Sequence, residues 1–413
     1  MADPTRDAAY ALISAVLERG QGLDAALDAL PPLEPRDRAA AHMLAATVLR
    51  HEGSIDAALE PYLKKAPPPP VRHILRLGAA QLLYMGTAAH AAVTTAVTLT
   101  DAKKLKPFTG LVNAVLRKLA LAGTAALAEL DQPRLDTPSW LWASWGSNAR
   151  AIAVAHQSEA PLDLSLRPGA AAPPGGMMLP TGSVRMPIGT RVTTLPGFGA
   201  GDFWVQDAAA ALPARLLQVK QGERVLDLCA APGGKTAQLI AAGGVVTALD
   251  RDAKRLDIVR QNLLRLHMPA DLVCADAADW QPDEKFSAIL LDAPCTATGT
   301  IRRHPEILRL RRPHDVVEMT AQQDRLLAAA AGLLAPGGRL VYAVCSLQPE
   351  EGEARIEAAC STHGLLLDEI TDAELAALPQ AKTRAGALRT HPGLWAEQGH
   401  MDGFFAARLT KPA

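Results

Sequence analysis

The sequence predicts an all-α first part over residues 1–135, a small α/β connector over 136–205 and a doubly wound α/β domain over 206–413. Apolar residues at helical spacing predict the first part. Short apolar runs that alternate with helical stretches predict the last part. The chain of 413 residues is also longer than a domain with a single hydrophobic core usually is, since domains average about 150 residues.

In the first part, helical spacing continues from Ala8 to about Leu121, and prolines 67–70 can begin a helix but not continue one. The window 103–118 carries cations without any acid, so it is a candidate phosphate-binding surface, although a solvated helical face is the commoner explanation. Those cations are Lys103, Lys104, Lys106, Arg117 and Lys118.

In the connector the pattern is broken, with PLDLSLRPG at 161–169 and a strand-like region at 184–195. Apolar runs after it predict five parallel strands covered by helices on both faces. The runs lie at 224–228, 245–249, 272–274, 288–291 and 340–344.

Composition limits the function classes. Forty-two basic and 43 acidic residues give a net charge of −1, which disfavours indiscriminate DNA coating. Five cysteines without a CxxC pair, and no HExxH, give little support for a disulfide framework or a metal site. The start MADPTRDAAY is not a signal peptide, and no apolar run approaches about 18 residues. A cytoplasmic, monomeric protein without membrane contact is expected.

The segment VLDLCAAPGGKT at 225–236 has the strand, tight loop and helix start at which doubly wound sheets bind nucleotides. Its GKT end and the Asp292 that follows an apolar strand resemble a P-loop NTPase, which makes that class a serious alternative. A P-loop, however, needs glycine where Cys229 stands, so that backbone N–H groups can wrap the phosphates. The GxGxxG motif is absent, so the sequence supports a nicotinamide-binding site even less than a P-loop.

S-adenosylmethionine is the third interpretation, because it needs no phosphate cradle but does need an acid for its ribose hydroxyls. Asp250 ends the second strand, where that acid should lie. Asp276, after the third strand, could receive the adenine amino group, and Asp292 ends the fourth strand beside the reactive methyl. Singly, each is more often a turn or cap residue. Together at one sheet edge they favour this cofactor.

Cys295 follows the fourth strand and Cys345 ends the fifth, so both are expected to face the same crevice. Carbon C5 of cytosine becomes nucleophilic only after a thiolate adds to C6, and C5 can then attack a sulfonium methyl. One thiolate is therefore required, and the other cysteine or a water can assist removal of the C5 proton and release. Cys274 and Cys360 are assigned to packing.

Between the two cysteines, residues 302–312 contain five arginines and one acid, Glu306. Such a strip can hold single-stranded RNA backbone, and a solvated helix face is an equally good explanation. The RNA contacts predicted here are Arg302, Arg303 and His304.

Several motifs in order resemble the bacterial Sun/Fmu-type (RsmB-like) 16S ribosomal RNA cytosine-C5 methyltransferases. They are CAAPGGKT at 229–236, DAPCTATGT at 292–300, RRHPEI at 302–307, LAPGGRLVYAVCSLQPEE at 334–351 and DGFFAARL at 402–409. FWVQDAAAALPARLL at 203–217 is also similar, and AAQLLYM and FTGLVNAVLRKL look like a NusB-type RNA-binding domain. The resemblance therefore covers nearly the whole chain.

This resemblance implies a NusB-like helical domain, a connector and a Rossmann-like methyltransferase domain acting on unassembled or partly assembled 16S ribosomal RNA. It implies that Cys345 is the nucleophile, that Cys295 assists release and that Asp292 also lies near the target base. Val344 stands where the family usually has threonine. The predicted S-adenosyl-L-methionine contacts are Cys229, Ala230, Ala231, Pro232, Gly233, Gly234, Lys235, Asp250, Arg255, Asp276 and Asp292.

Three alternatives stay open at this point. They are the same chemistry on another RNA such as tRNA, a P-loop-like RNA-dependent NTPase, and a non-catalytic RNA-binding assembly factor.

Overall fold

A computed structural model describes residues 3–413, which divide into two compact units. The helical unit comprises the chain up to Ser158 together with Ile301–Arg311, and the sheet unit comprises Glu159–Thr300 and Arg312–Ala413. The sequence analysis placed boundaries at 135 and 205 instead, and left 301–311 in the last part. The structure corrects both assignments.

The helical unit is all-α, as predicted. Its first helix begins where the sequence offers a cap: the Asp3 carboxylate accepts the Arg6 backbone N–H at 3.1 Å, and Pro4 occupies the first helical position. Another helix begins at Pro69, within the proline run. The helices are α1 Pro4–Arg19, α2 Leu23–Asp28, α3 Pro35–Arg50, α4 Glu52–Leu59, α5 Pro69–Leu83, α6 Ala89–Ala102, α7 Thr109–Ala122, α8 Gln132–Asp136, α9 Ser139–Ser144 and α10 Ala149–His156.

The helical stretch Lys106–Leu127, which contains α7, is long and apolar enough to cross a membrane by length and composition alone. The sequence analysis expected no such stretch. In the structure α7 buries Val112, Val115, Leu116 and Leu119 in the core of the helical unit. One face of α7 therefore packs into the core, although only 28% of the apolar window is buried.

The predicted connector is divided between the two units. Its first helices belong to the helical unit, and its strands form a four-stranded antiparallel sheet in the sheet unit, in the order β2-β3-β1-β4. The strand-like region at 184–195 is a strand only at its start and then a loop with a 3₁₀ turn. The strands are β1 Leu162–Leu166, β2 Met177–Met178, β3 Val184–Met186 and β4 Phe203–Val205.

A second, eight-stranded sheet forms the rest of the sheet unit. It has the order β10-β12-β9-β8-β5-β6-β7, with β11 paired to β12. The strands are β5 Arg224–Leu228, β6 Val245–Asp250, β7 Asp271–Cys274, β8 Phe286–Asp292, β9 Leu334–Val344, β10 Leu366–Asp368, β11 Leu388–Arg389 and β12 Phe405–Thr410. The helices of this unit are α11 Leu212–Leu216, α12 Gly234–Ala241, α13 Ala253–Leu266, α15 Pro313–Leu333 and α16 Glu353–His363, and α14, Ile307–Leu310, belongs to the helical unit.

The five predicted strands are confirmed as β5 to β9, and they pair in parallel as expected. Two antiparallel strands, β12 and β10, extend the edge beside β9. The chain runs outward from β5 through β6 to β7 and then returns to β8 on the other side of β5. This reversal opens a crevice at the carboxyl ends of β5 and β8, where doubly wound sheets bind their ligands.

The segment 301–311 leaves the sheet unit after Thr300 and packs with the helical unit, where it forms α14. Arg309 Nε lies 2.6 Å from the Glu52 carboxylate, and Arg309 Nη2 donates to the Asp136 carbonyl at 3.0 Å. Arg50 donates to the Arg302 carbonyl at 3.0 Å. These arginines therefore hold the segment in place within the helical unit.

Candidate active site

A cleft of about 500 Å³ lies at the reversal point of the larger sheet. Its walls combine the loop after β5, the end of β8 and the chain that follows β4. The lining residues are Val205, Gln206, Ala210, Asp227, Cys229, Ala230, Ala231, Pro232, Gly234, Lys235 and Asp292. Six of the predicted cofactor-loop residues, from Cys229 to Lys235, therefore line one cavity together with Asp292.

The loop between β5 and α12 turns sharply at two positive-φ residues. Cys229 has φ +62°, and Gly233 has φ +101° just before α12. A Cβ at Gly233 would lie 3.2 Å from a methyl carbon of Val259, so glycine also permits the close approach of α13. Burial, with the charges of Asp250 and Asp292, raises the pKa of Cys229 to about 12. This thiol therefore stays protonated and lines the cavity as a neutral group.

Asp250, at the end of β6, holds this loop from behind. It is 2% exposed, and its carboxylate accepts the backbone N–H groups of Ala231 at 3.3 Å and Asp252 at 3.0 Å. Arg255 lies 3.6 Å from the same carboxylate and donates to the Ala231 carbonyl at 3.1 Å. The two residues thus support the predicted cofactor loop and do not themselves line the cavity.

Asp276 lies after β7, as predicted, and is also outside the cavity lining. The Ala278 backbone N–H donates to its carboxylate at 3.0 Å, and so does Arg325 at 3.0 Å. The Ala278 hydrogen bond and then the Arg325 guanidinium lower the pKa of this carboxyl group. A carboxylate held ionised at this strand end remains able to accept a hydrogen bond.

Lys235, a predicted cofactor contact, forms an ion pair within the cavity wall. Its Nζ lies 2.8 Å from Asp292 Oδ2 and 5.0 Å from the centre of the Phe404 ring. Burial disfavours the ammonium form, but the Asp292 carboxylate outweighs that effect and raises the pKa of Lys235. The lysine therefore neutralises Asp292 at the mouth of β8 and is not available as a phosphate ligand.

The two cysteines meet, as their strand-end positions predict. Cys295 Sγ and Cys345 Sγ are 3.4 Å apart, and Cys295 is the more buried, at 8% exposed. The hydrogen bond with Cys345, together with burial, raises the pKa of Cys295 well above its usual value. Burial and this contact therefore favour the protonated form of Cys295.

Glycine at position 299 permits the close packing around this pair. A Cβ there would lie 1.9 Å from the Gly403 carbonyl oxygen. The Gly299 N–H donates to the Cys345 carbonyl at 3.0 Å, and its carbonyl accepts the Gly403 N–H at 2.8 Å. The loop after Cys295 is thereby hydrogen-bonded to the chain around Cys345 and to the DGFF segment.

Asp227 is a cavity residue that the sequence analysis missed. It is fully buried in β5, and its Oδ2 accepts the Thr236 hydroxyl at 2.6 Å. Among residues 3–413, Oδ1 has no hydrogen-bond partner. Burial, helped by the negative charges of Asp292 and Asp250, raises the pKa of Asp227 to about 7. A lone aspartate within the apolar run VLDL was the available signal.

The raised pKa predicts an unusual pH dependence of stability. The folded protein binds a proton at Asp227 between about pH 4 and pH 7 that the unfolded chain has already released, so stability falls as pH rises through this window. Three pKa units correspond to at most ~4 kcal/mol. In Asp227→Asn this loss of stability with rising pH should be absent. The melting temperatures of wild type and of the variant, each at pH 5 and at pH 8, measure it. The exposed Asp271→Asn is the control, and equal slopes for wild type and Asp227→Asn would refute the assignment.

Val205, the last residue of β4, and Gln206, which follows it, also line the cavity. The sequence analysis noted their motif but gave these two residues no role. Gln206 Oε1 accepts the Trp204 indole N–H and the Ser165 hydroxyl, both at 2.8 Å. Gln206 Nε2 donates to Gln238 of α12 at 2.6 Å. This network fixes the small sheet against the helix that begins at the cofactor loop.

The predicted RNA-binding residues do not all lie on the surface. Arg302 is only 1% exposed, which corrects its assignment as a surface phosphate contact. Arg303 and His304 are partly buried, and His304 Nδ1 lies 3.8 Å from Asp24 in the helical unit. Lys103 pairs with Asp7 at 2.6 Å.

The other basic residues of the 103–118 window, Lys104, Lys106, Arg117 and Lys118, are exposed. Of the two cysteines assigned to packing, one differs from the prediction and one agrees with it. Cys274 is exposed, whereas Cys360 packs partly buried against the core.

Comparison with known proteins decides the family. The family model for the 16S rRNA methyltransferases RsmB/F matches residues 214–410, and the NusB family model matches residues 3–121. A ribosomal RNA small subunit methyltransferase B of Xanthomonas campestris is 38% identical and covers 98% of this chain and 97% of its own. One from Pseudomonas syringae is 37% identical, over 99% of this chain and 97% of its own.

The chain belongs to the RsmB/F methyltransferase family. Solved structures agree on the fold: PH0851 has a TM-score of 0.75 at 23% identity and covers 100% of this chain and 99% of its own. A methyltransferase homologue from Pyrococcus horikoshii has a TM-score of 0.54 at 28% identity, over 68% of this chain and 96% of its own. The predicted NusB-like helical domain and Rossmann-like domain are thus confirmed.

The cofactor of this RsmB/F family member is S-adenosylmethionine, and the cavity suits it. The walls carry the carboxylates of Asp227 and Asp292, and the cavity's lysine is already paired. Within residues 3–413, Asp227 Oδ1 accepts no hydrogen bond, so this atom is an available acceptor in the cavity wall. A cavity wall that offers hydrogen-bond acceptors and whose lysine is already paired suits a positively charged sulfonium cofactor better than the negative phosphates of a nucleoside triphosphate. This argues against the P-loop alternative.

Proposed function

We propose that this RsmB/F protein methylates C5 of a cytosine in 16S ribosomal RNA through a covalent bond between Cys345 and C6. The observation that supports this most directly is the 3.4 Å contact between the Cys295 and Cys345 sulfurs at neighbouring strand ends. The names of the curated relatives, which are ribosomal RNA small subunit methyltransferases, support the substrate class.

In this mechanism the Cys345 thiolate adds to C6 and the ring electrons move to C5. After methyl transfer a water takes the C5 proton, the C5–C6 double bond re-forms and the C6–S bond breaks. Cys295, which keeps its proton, assists by donating its S–H to the departing Cys345 sulfur. S-adenosylmethionine supplies the electrophilic methyl group when it is bound. Activation of C5 thus uses one thiolate, and the second cysteine serves the release of the product.

Asp292 is proposed to bind the target base. Lys235 holds its Oδ2 at 2.8 Å, while the carboxylate stays 28% exposed at the cavity. A carboxylate in this place accepts a hydrogen bond from the exocyclic amino group of cytosine, which uracil lacks. Such a contact selects cytosine and fixes the ring against Cys345.

The loop from Cys229 to Lys235 is proposed to hold the cofactor, with Asp227 beneath it. Asp250 and Arg255 shape the loop from behind, and Asp276 remains a candidate for the adenine amino group. These assignments predict that loop variants weaken cofactor binding without changing RNA affinity.

RNA binding is proposed to depend on Lys104, Lys106, Arg117 and Lys118, which are exposed in the helical unit. Replacing all four with alanine should make the log–log salt slope of RNA binding shallower by roughly 2.8, at about 0.7 per phosphate for single strands. Salt-dependent fluorescence anisotropy measures this slope, and cofactor affinity should not change. The exposed pair Lys64 and Lys65, changed to alanine, is the control; equal slopes in both variants would contradict this surface.

Methyl transfer itself tests the proposed function against its alternatives. The full chain is incubated with labelled S-adenosylmethionine and either deproteinised 16S RNA or tRNA, and the labelled nucleoside is identified after digestion. We expect 5-methylcytidine from 16S RNA. Label in tRNA alone, label on another base, or RNA-stimulated ATP hydrolysis without transfer would each overturn the proposal.

A further inference from the structure

Glu351 lies behind the two cysteines and is completely buried. Its Oε1 accepts the Thr296 backbone N–H at 2.8 Å and Gln323 Nε2 at 3.0 Å. Its Oε2 accepts the hydroxyl groups of Thr296 and Ser346. Four donors thus occupy the roughly four lone-pair sites that a carboxylate offers.

The donors come from both cysteine-bearing segments. Thr296 directly follows Cys295, and Ser346 directly follows Cys345. One side chain therefore connects the end of β8 to the end of β9 at the residues next to the two thiols. The Tyr342 hydroxyl fixes the backbone of Glu351 itself by donating to its carbonyl at 2.7 Å.

Further bonds in the same layer make the connection rigid. Thr298 Oγ1 lies 3.2 Å from Ser346 Oγ and accepts the Leu347 N–H at 3.0 Å. Gln323 Nε2 also donates to the Pro294 carbonyl at 3.0 Å. In such a network a displaced member leaves several buried polar groups without partners, so the arrangement resists small movements.

We propose that Glu351 is a positioning residue that sets the separation and relative direction of the Cys295 and Cys345 thiols. It does not line the cofactor cavity, and its hydrogen bonds reach the residues beside the cysteines rather than the sulfurs. Its effect should therefore fall on thiol chemistry and not on ligand binding. The inference rests on the proposed function for its catalytic consequence but not for its geometry.

Glutamine is a demanding replacement because it keeps the shape but offers one acceptor oxygen in place of two. Its NH₂ group can donate to the two hydroxyls, which then act as acceptors, while its oxygen still accepts the Thr296 N–H. Alanine removes all four acceptor sites. Thiol positioning is therefore expected to be best in wild type, intermediate in Glu351→Gln and poorest in Glu351→Ala.

The geometry is tested first without RNA or cofactor. Diamide oxidises the full-length protein: each thiol gives up one proton and one electron, the S–S bond forms, and diamide becomes the hydrazine. Peptide mapping follows the Cys295–Cys345 link. We expect Glu351→Ala to form it ~10-fold or more slowly than wild type, with Glu351→Gln between them. The exposed neighbour Glu350→Ala is the matched control and should behave as wild type.

The catalytic consequence is tested separately. Glu351→Ala should lower kcat by ~100-fold, with the affinities for S-adenosylmethionine and RNA unchanged, and Glu351→Gln should restore part of the rate. If the alanine variant fails to fold, Ser346→Ala takes its place in both assays, since it removes one of the four donors to Glu351 along with the other hydrogen bonds of that hydroxyl.

Wild-type rates of disulfide formation in the folded variants would overturn the inference, and so would affinities that fall in step with kcat. Slowed disulfide formation in a protein that transfers no methyl group would support the positioning role while contradicting the proposed function.

Discussion

Cys345→Ala is expected to abolish methyl transfer and the covalent protein–RNA adduct together. No other group in the site can activate C5, because the neighbouring Cys295 is 8% exposed and keeps its proton. Loss of a covalent nucleophile costs roughly 10⁴–10⁶-fold in turnover. Single-turnover transfer from labelled cofactor measures the rate, and denaturing gel electrophoresis with labelled RNA measures the adduct.

Cys295→Ala is expected to fail in the opposite way. Its Cys345 can still attack and receive the methyl group at C5, but elimination lacks the thiol that lies 3.4 Å away. Protein and RNA should therefore accumulate as a complex that survives denaturation. The exposed Cys274→Ala serves as the control and should show neither defect.

Two outcomes would contradict this assignment of roles. An adduct that persists in Cys345→Ala and disappears in Cys295→Ala would exchange the roles of the two thiols. The absence of any adduct from wild-type protein on 5-fluorocytosine RNA, whose C5 substituent cannot leave as a proton, would exclude covalent catalysis.

Asp292→Asn is expected to lower turnover by roughly 10²–10³-fold, the usual effect of losing one preorganised polar contact in an active site. The amide turns one acceptor into a donor toward the cytosine amino group, and it leaves buried Lys235 without its charge partner at 2.8 Å. Single-turnover rates at saturating cofactor measure the loss, and calorimetry measures separately how far cofactor affinity falls, since Asp292 also lines the cofactor cavity. Asp271→Asn is the control, and turnover near the wild-type rate in Asp292→Asn would remove Asp292 from the reaction.

Much of the sheet unit was predictable because local sequence carries its information. Apolar runs give β5 to β9 directly, since strands buried on both faces have no polar side to alternate. The carboxyl ends of parallel strands share one edge, so Asp292, Cys295 and Cys345 could be expected to meet before any distance was known.

Other features depend on contacts between residues far apart in sequence. The arginines at 302–312 form a basic strip in the sequence, but the partners of Arg309, Glu52 and the Asp136 carbonyl, lie over 170 residues earlier. Likewise Lys103 meets Asp7 across the helical unit. Local charge density cannot reveal such partners, which is why the strip was wrongly assigned in part to the surface.

Glu351 was hidden for a related reason. In the sequence it belongs to an acidic turn, PEEGE, that looks like an exposed helix start. Ser346 is close to it in the sequence, but Thr296 lies 55 residues earlier and reaches Glu351 only because β8 pairs with β9. Asp227, by contrast, was visible as an acid within an apolar run.

The central claim, methylation of C5 in 16S ribosomal RNA with Cys345 as the nucleophile, is tested most directly by bisulfite sequencing of that RNA. Three strains are compared: the source strain with this gene deleted, and the same deletion strain carrying either the wild-type gene or Cys345→Ala. The account predicts one cytosine that resists conversion only with the wild-type gene. Identical conversion in all three strains, or protection restored by Cys345→Ala, would contradict it.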